Sequence, residues 1–141
     1  MTSFDRDNAI ADNTRYAASV LAALAREHPT VSRWALAGFS QGVAMAYRAA
    51  AGAPHPVHAL VALAGDVPPD VAAGGMRGFP PVLVGRGTGD AWYDDEKLAA
   101  DVEVFEARGV EAETSVFTGG HEWAPDFLTR AGAFLAARLD R

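Results

Sequence analysis

The alternation of apolar and polar positions divides the chain into helices and short buried strands. Between Asn8 and Glu27, the residues Ile10, Ala17, Val20, Leu21 and Leu24 recur at helical spacing, and His28-Pro29 ends the run. Arg33 to Phe39 (RWALAGF) is a compact apolar run of strand length. A second helix is predicted from Gln41 to about Ala51, carrying Val43, Ala44 and Tyr47 and ending near Gly52-Ala53-Pro54. Val57 to Ala64 (VHALVALA) and Pro81 to Gly85 (PVLVG) are two further strands, separated by a loop from Gly65 to Gly78 that contains Pro68-Pro69 and Gly74-Gly75. A helix follows from Asp94 to Arg108, with Leu98, Val102 and Phe105 on one face and Gly109 as its stop. Glu111 to Phe117 alternates imperfectly, as a less buried outer strand does. After a Gly119-Gly120-His121 turn, Pro125 opens a last helix whose apolar face is Phe127, Leu128, Ala131, Phe134 and Leu135.

Apolar strands alternating with helices predict an α/β fold: a mostly parallel sheet of about four strands with helices on both faces. In such sheets reactive groups gather beyond the carboxyl ends of the strands. Ser40, Asp90 and His121 each stand just past a predicted strand end.

Length and composition narrow the picture. With 141 residues, half of them hydrophobic and 21% charged, one globular domain spanning 1–141 is expected. The net charge of −6 argues against a nucleic-acid partner, because phosphate binding needs a surplus of Lys and Arg. No apolar run reaches the roughly 20 residues of a membrane span. With no cysteine there is neither disulfide nor thiolate chemistry. Met1 to Asp7 shows no basic segment leading into an apolar one, so a cytoplasmic location is expected.

The candidate chemistry begins with Gly38-Phe39-Ser40-Gln41-Gly42. A serine hydroxyl is a poor nucleophile until a neighbouring base takes its proton. The G-x-S-x-G pattern between a strand and a helix forces a tight turn that presents the serine at the top of a sheet. The bland alternative is a glycine-rich helix start with a solvated serine. Among the four histidines, His28 ends a helix, His55 sits between prolines and His58 lies within a strand. His121, in its Gly-Gly turn after the last strand, is the base candidate. Asp90 follows the third strand across a Gly-rich turn and is favoured as the acid that orients the imidazole, with Asp66 (ALAGD) as its rival. Asp94 and Asp95 suit a helix start. GRGTGD lacks the Lys-Ser/Thr of a phosphate loop, and no H-E-x-x-H or other metal-ligand spacing occurs.

Four segments together, GFSQG (38–42), VALAGDVP (61–68), GRGTGDAWY (85–93) and GGHEW (119–123), resemble the phospholipase/carboxylesterase family of α/β-hydrolases, small esterases that include acyl-protein thioesterases. The resemblance runs from about Asp12 to the C-terminus. It implies a truncated α/β-hydrolase fold in which Ser40, Asp90 and His121 form the catalytic triad. It further implies cleavage of small carboxylic esters or thioesters through an acyl-enzyme, with neither cofactor nor metal. Family members are usually longer at the N-terminus, where additional strands supply one backbone donor of the oxyanion hole. The other donor is the residue after the nucleophile, here the Gln41 amide.

The shortened start implies either that another loop, Gly65-Asp66 or Gly74-Gly75, replaces the first donor, or that a partner chain does, or that turnover is slow. A shortened hydrolase kept for binding or assembly is the alternative to an enzyme. Trp92, Tyr93 and Trp123 flank the candidate acid and base. With Phe39 beside the serine, the substrate wall is expected from Phe39, Trp92 and Trp123, with plain packing beneath the site as the other reading. Missing neighbour strands would leave the strand ending at Phe39 on an open apolar edge, so a homo-oligomer that covers this edge is expected.

Overall fold

The structure is a computed structural model that describes residues 3–74 and 76–140. Its elements run α1 (Ser3–Glu27), β1 (Ala35–Phe39), α2 (Gln41–Ala51), β2 (Ala59–Leu63), α3 (Pro69–Gly74), β3 (Val82–Gly87), α4 (Asp95–Arg108), β4 (Ala112–Phe117) and α5 (Pro125–Leu139). The strands form one parallel sheet in the order β1-β2-β3-β4. Parallel neighbours need a crossover, and α2, α3 and α4 supply the three that link consecutive strands.

The register shows which side chains face which layer. Phe39, Leu63 and Gly85 lie in one lateral row, and Gly38, Ala62, Val84 and Thr114 in the next. The Phe39 row faces α5: a Cβ on Gly85 would strike the Phe127 ring. The Gly38 row faces α2, where a Cβ on Gly38 would stand 2.7 Å from the Gly42 oxygen. Tyr47 of α2 and Phe105 of α4 meet on that side, with ring centroids 6.3 Å apart. Helices therefore cover both faces of the sheet, and α1 forms an outer layer on α2.

β2 and β3 are buried along their whole length, as strands covered on both faces must be. β1 and β4 are the edges, with mixed burial. β1 leaves Ala37 exposed, and α5 packs on β2, β3 and β4.

Several boundaries and faces differ from those the sequence predicts. α1 starts at Ser3, one turn before Asn8, while β3 continues through Arg86 to Gly87. α3 lies inside the stretch read as a loop; it is six residues long, too short to show periodicity, and starts at Pro69, a residue suited to a helix's first turn. Leu128 is 52% exposed, so the buried face of α5 is Phe127, Ala131 and Phe134. In α4 the buried position between Leu98 and Phe105 belongs to Asp101, and Val102 is only partly covered. Met1, Thr2 and Gly75 lie outside the described residues.

Candidate active site

Ser40 joins β1 to α2 at φ 53° and ψ −122°, a backbone conformation that costs a non-glycine residue of order 1–3 kcal/mol. A serine preceding a helix ordinarily folds its hydroxyl back onto a free N–H of the first turn. Ser40 makes no such bond. Its Oγ instead lies 2.7 Å from Nε2 of His121. The Ser40 hydroxyl at this helix start is thus hydrogen-bonded to a side chain rather than merely solvated.

The tight turn is possible because two neighbours lack side chains. A Cβ on Gly38 would meet the backbone of Gly42 and Val43 at 2.7 Å, and one on Gly65 would stand 2.6 Å from the Ser40 carbonyl oxygen and from Val43 Cβ. Gly65 thus backs the turn from the loop after β2. The preceding Ala64 also has a positive φ, 57°, and its N–H is held by the Gly85 carbonyl.

His121 comes from the far edge of the sheet. β1 and β4 are three strand spacings apart, about 14 Å, so the β4–α5 loop must cross the end of β3 to deliver the ring. It does so over a glycine: a Cβ on Gly87 would fall 2.2 Å from the Gly120 oxygen. The Gly89 N–H then donates to the Gly119 carbonyl at 2.7 Å, and the Thr88 N–H to the Phe117 carbonyl at 2.9 Å, which pins the crossing loop.

The His121 Nδ1 lies 2.8 Å from Oδ2 of Asp90, whose side chain is fully buried. Oδ1 of Asp90 accepts the N–H groups of Trp92 (2.9 Å) and Tyr93 (3.0 Å). Burial by itself would raise this carboxyl; the two backbone donors and His121 together outweigh it and hold it below the ordinary carboxylate range. An ionised carboxylate only accepts, so Nδ1 carries the imidazole proton. Nε2 then presents its lone pair to the Ser40 hydroxyl. The arrangement can draw a proton from Ser40 and stabilise the imidazolium that results.

Asp66, the rival acid, lies near Asp101 on the α4 side, where its charge acts on Asp101. Asp94 caps α4 by accepting the Lys97 N–H at 3.0 Å. His58 pairs with the backbone of Trp34 through both its ring and its main chain. Three aromatic side chains surround the catalytic candidates. The Phe39 ring lies 5.0 Å from that of His121, Trp92 meets His121 edge-on at 6.2 Å, and Trp123 packs on Phe39 and Phe127. Trp92 and Trp123 remain 49% and 39% exposed, while Tyr93 is fully buried. Gln41, the first residue of α2, has an N–H without an intrahelical acceptor. Of the loops expected to add a second donor, Gly65-Asp66 lies behind the turn against the Ser40 carbonyl, and Gly75 falls outside the described residues. Among the described residues, no three His, Asp or Glu side chains gather as a metal site requires.

Two buried charged residues near the site, Arg86 and Asp101, are not among the residues the sequence singles out for chemistry. Arg86 of β3 donates to the Tyr93 carbonyl, and Asp101 of α4 accepts from the Tyr93 hydroxyl. Their sequence signal is a charged residue in an otherwise apolar strand and another on an otherwise apolar helix face.

The phospholipase/carboxylesterase family model matches residues 2–139, somewhat more of the chain than the four motif segments suggest. Among solved structures, the esterase PE8 is 29% identical with a TM-score of 0.72; 86% of this chain and 58% of that one are covered. SOBER1 of Arabidopsis thaliana is 21% identical with a TM-score of 0.79, covering 92% and 64%. The acyl-protein thioesterase 2 of Zea mays is 20% identical with a TM-score of 0.64, covering 89% and 66%. This chain therefore spans less than two thirds of the length of each. No curated protein matches it. Its four-stranded parallel sheet with helices on both faces is a short form of the α/β-hydrolase fold.

Proposed function

The chain belongs to the phospholipase/carboxylesterase family, and we propose that it is a serine esterase acting on small carboxylic esters or thioesters through an acyl-enzyme. The observation that carries this reading is the unbroken path Ser40 Oγ, His121 Nε2, His121 Nδ1, Asp90 Oδ2, with links of 2.7 and 2.8 Å. Ser40 Oγ attacks the ester carbonyl carbon as its proton passes to Nε2, and the carbonyl oxygen becomes an oxyanion near the Gln41 N–H. The imidazolium returns the proton to the leaving alcohol or thiol, whose bond to the acyl carbon breaks. Nε2 then takes a proton from water as the water oxygen attacks the acyl carbon; the bond from that carbon to Ser40 Oγ breaks as the imidazolium returns the proton to Oγ, and a carboxylic acid leaves. Asp90 stays ionised throughout and stabilises the charged ring.

Phe39, Trp92 and Trp123 offer an apolar wall for the acyl or alkyl group. The open β1 edge, free of charged residues, is where a second copy pairs in the proposed homo-oligomer.

The test is a p-nitrophenyl ester chain-length series run beside Ser40→Ala, with mass spectrometry of the adduct formed by a fluorophosphonate. Turnover on short esters, lost in Ser40→Ala, together with a label on Ser40, is expected. Wild-type turnover in the variant would remove the assignment.

A further inference from the structure

Tyr93 has all three of its polar atoms engaged, each by a different part of the molecule. Its N–H donates to Asp90 Oδ1 at 3.0 Å, its carbonyl accepts Arg86 Nε at 3.0 Å, and its hydroxyl donates to Asp101 Oδ2 at 2.6 Å. Arg86 is anchored in turn by Asp95 at 2.8 Å. The other oxygen of Asp101 accepts the Val67 N–H at 3.0 Å. Val67 belongs to the loop after β2, two residues beyond the Gly65 that backs the Ser40 turn. One carboxylate on α4 therefore ties together the loop that holds the acid and the loop that supports the serine. It lies about as deep as the apolar core around it.

We propose that Asp101 is a positioning residue, which through Tyr93 and Val67 holds Asp90 and the Ser40 turn in register with His121. The proposal rests on the triad reading above, since it assigns Asp101 no contact with substrate. A buried carboxylate that accepts from two donors holds them most tightly while it is ionised, because bonds to a charged acceptor are shorter and stronger than neutral ones. Once it is protonated, the charge-assisted bond from the Tyr93 hydroxyl gives way to a weaker neutral one, in which the direction of donation can reverse. The groups facing Asp101 are Tyr93 from the acid loop, Asp66 from the β2–α3 loop and Tyr47 from α2; the Tyr47 hydroxyl is buried without a partner among the described residues. None of them is a cation. Burial pushes the Asp101 carboxyl up to about 6, and the Asp66 charge adds to the rise against the opposing pull of its two donors. The clamp thus loosens within an experimentally accessible pH range.

The experiment compares wild type with Asp101→Asn, which imitates the protonated carboxyl, and with Tyr93→Phe, which removes only the hydroxyl and serves if the first variant does not fold. At pH 8 each should lower kcat about ten-fold with KM unchanged, as a small displacement of reacting groups does. Combining them should cost no more than either alone. The ratio of wild-type to Asp101→Asn activity should shrink toward one as pH falls through about 6, because the two carboxyl-like groups then become equivalent. Amide hydrogen exchange of 66–67 and 90–93 should speed up in both variants, a readout that does not depend on turnover. A pH-independent ratio with additive losses, or unchanged exchange, overturns the clamp. Failure of the fluorophosphonate to label Ser40 in wild type overturns the esterase reading, while the exchange result still decides the clamp.

Discussion

The two glycines of Gly38-Phe39-Ser40-Gln41-Gly42 hold different physical jobs, and substituting each by alanine should separate them. At Gly38 the added methyl would lie 2.7 Å from the Gly42 oxygen and the Val43 Cα, and 2.8 Å from the Gly42 carbonyl carbon. Nonbonded carbon contacts settle at about 3.5–4.0 Å, so roughly 1 Å must be found. All three obstacles are backbone, and no rotamer change relieves them. β1 must move away from α2, or the turn must open; overpacking of this kind costs about 1–3 kcal/mol. The same 1 Å, applied to a 2.7 Å bond between Ser40 and His121, leaves no hydrogen bond, and a misplacement of that size lowers rate about 10²-fold. At Gly42 nothing lies within 4 Å of the added methyl. Alanine there sits in the first turn of α2 and should raise stability by about a few tenths of a kcal/mol through helix propensity.

Urea unfolding and esterase assays on both variants check this. Gly38→Ala should unfold at lower denaturant and lose at least tenfold in kcat/KM, whereas Gly42→Ala should match or exceed wild-type stability. Equal stabilities for Gly38→Ala and wild type, or equal losses at both glycines, would refute the packing argument.

Three other outcomes are expected. Asp90→Asn should cut kcat by about 10⁴ with a small change in KM, because an amide no longer fixes the tautomer that leaves Nε2 free; and since Asp90 is held below the ordinary carboxylate range, it should not set the acid limb of the wild-type kcat/KM profile. Ala37→Lys, a charge on the exposed edge strand, should shift the sedimentation profile from oligomer to monomer, while a wild-type chain that is cleanly monomeric at micromolar concentration counts against edge pairing. The Asp101 carboxyl, at about 6 folded against an ordinary 3.8, keeps its proton longer in the folded state; wild-type stability relative to Asp101→Asn should therefore be greatest below pH 4 and fall as pH rises through about 6, read by urea unfolding across that range.

What the sequence revealed and what it hid follow one physical division. Strands, crossover helices and the Ser40 turn depend on local signals: continuous apolar runs, helical spacing, and glycines that remove a Cβ where backbones approach. The sheet and most of its helices could therefore be read from sequence. α3 escaped because six residues cannot display a period of 3.6. Leu128 and Val102 fit the predicted buried faces because an apolar residue one position from the true stripe looks the same in a pattern. Asp101 is the converse case: it occupies the buried stripe of α4, where Tyr93 and Val67 satisfy its carboxylate, one partner eight residues away outside the helix and the other 34. Polar pairing across elements is a property of the fold, with no local trace beyond one charge out of place.

The same division explains why the candidate site depends on glycines at its seams more than on the reacting residues alone. Ser40, Asp90 and His121 stand after β1, β3 and β4, and the loop carrying His121 must lie across the end of β3 to reach the serine. Gly87, where a Cβ would strike the Gly119 and Gly120 backbone, makes that crossing possible, and Gly38 and Gly65 let the serine turn sink against its support. Side chains at these seams would leave the three chemical groups in place along the chain yet too far apart to pass a proton. A serine, a histidine and an aspartate in the right order are thus insufficient: their chemistry depends also on three positions, Gly38, Gly65 and Gly87, that carry no side chain at all.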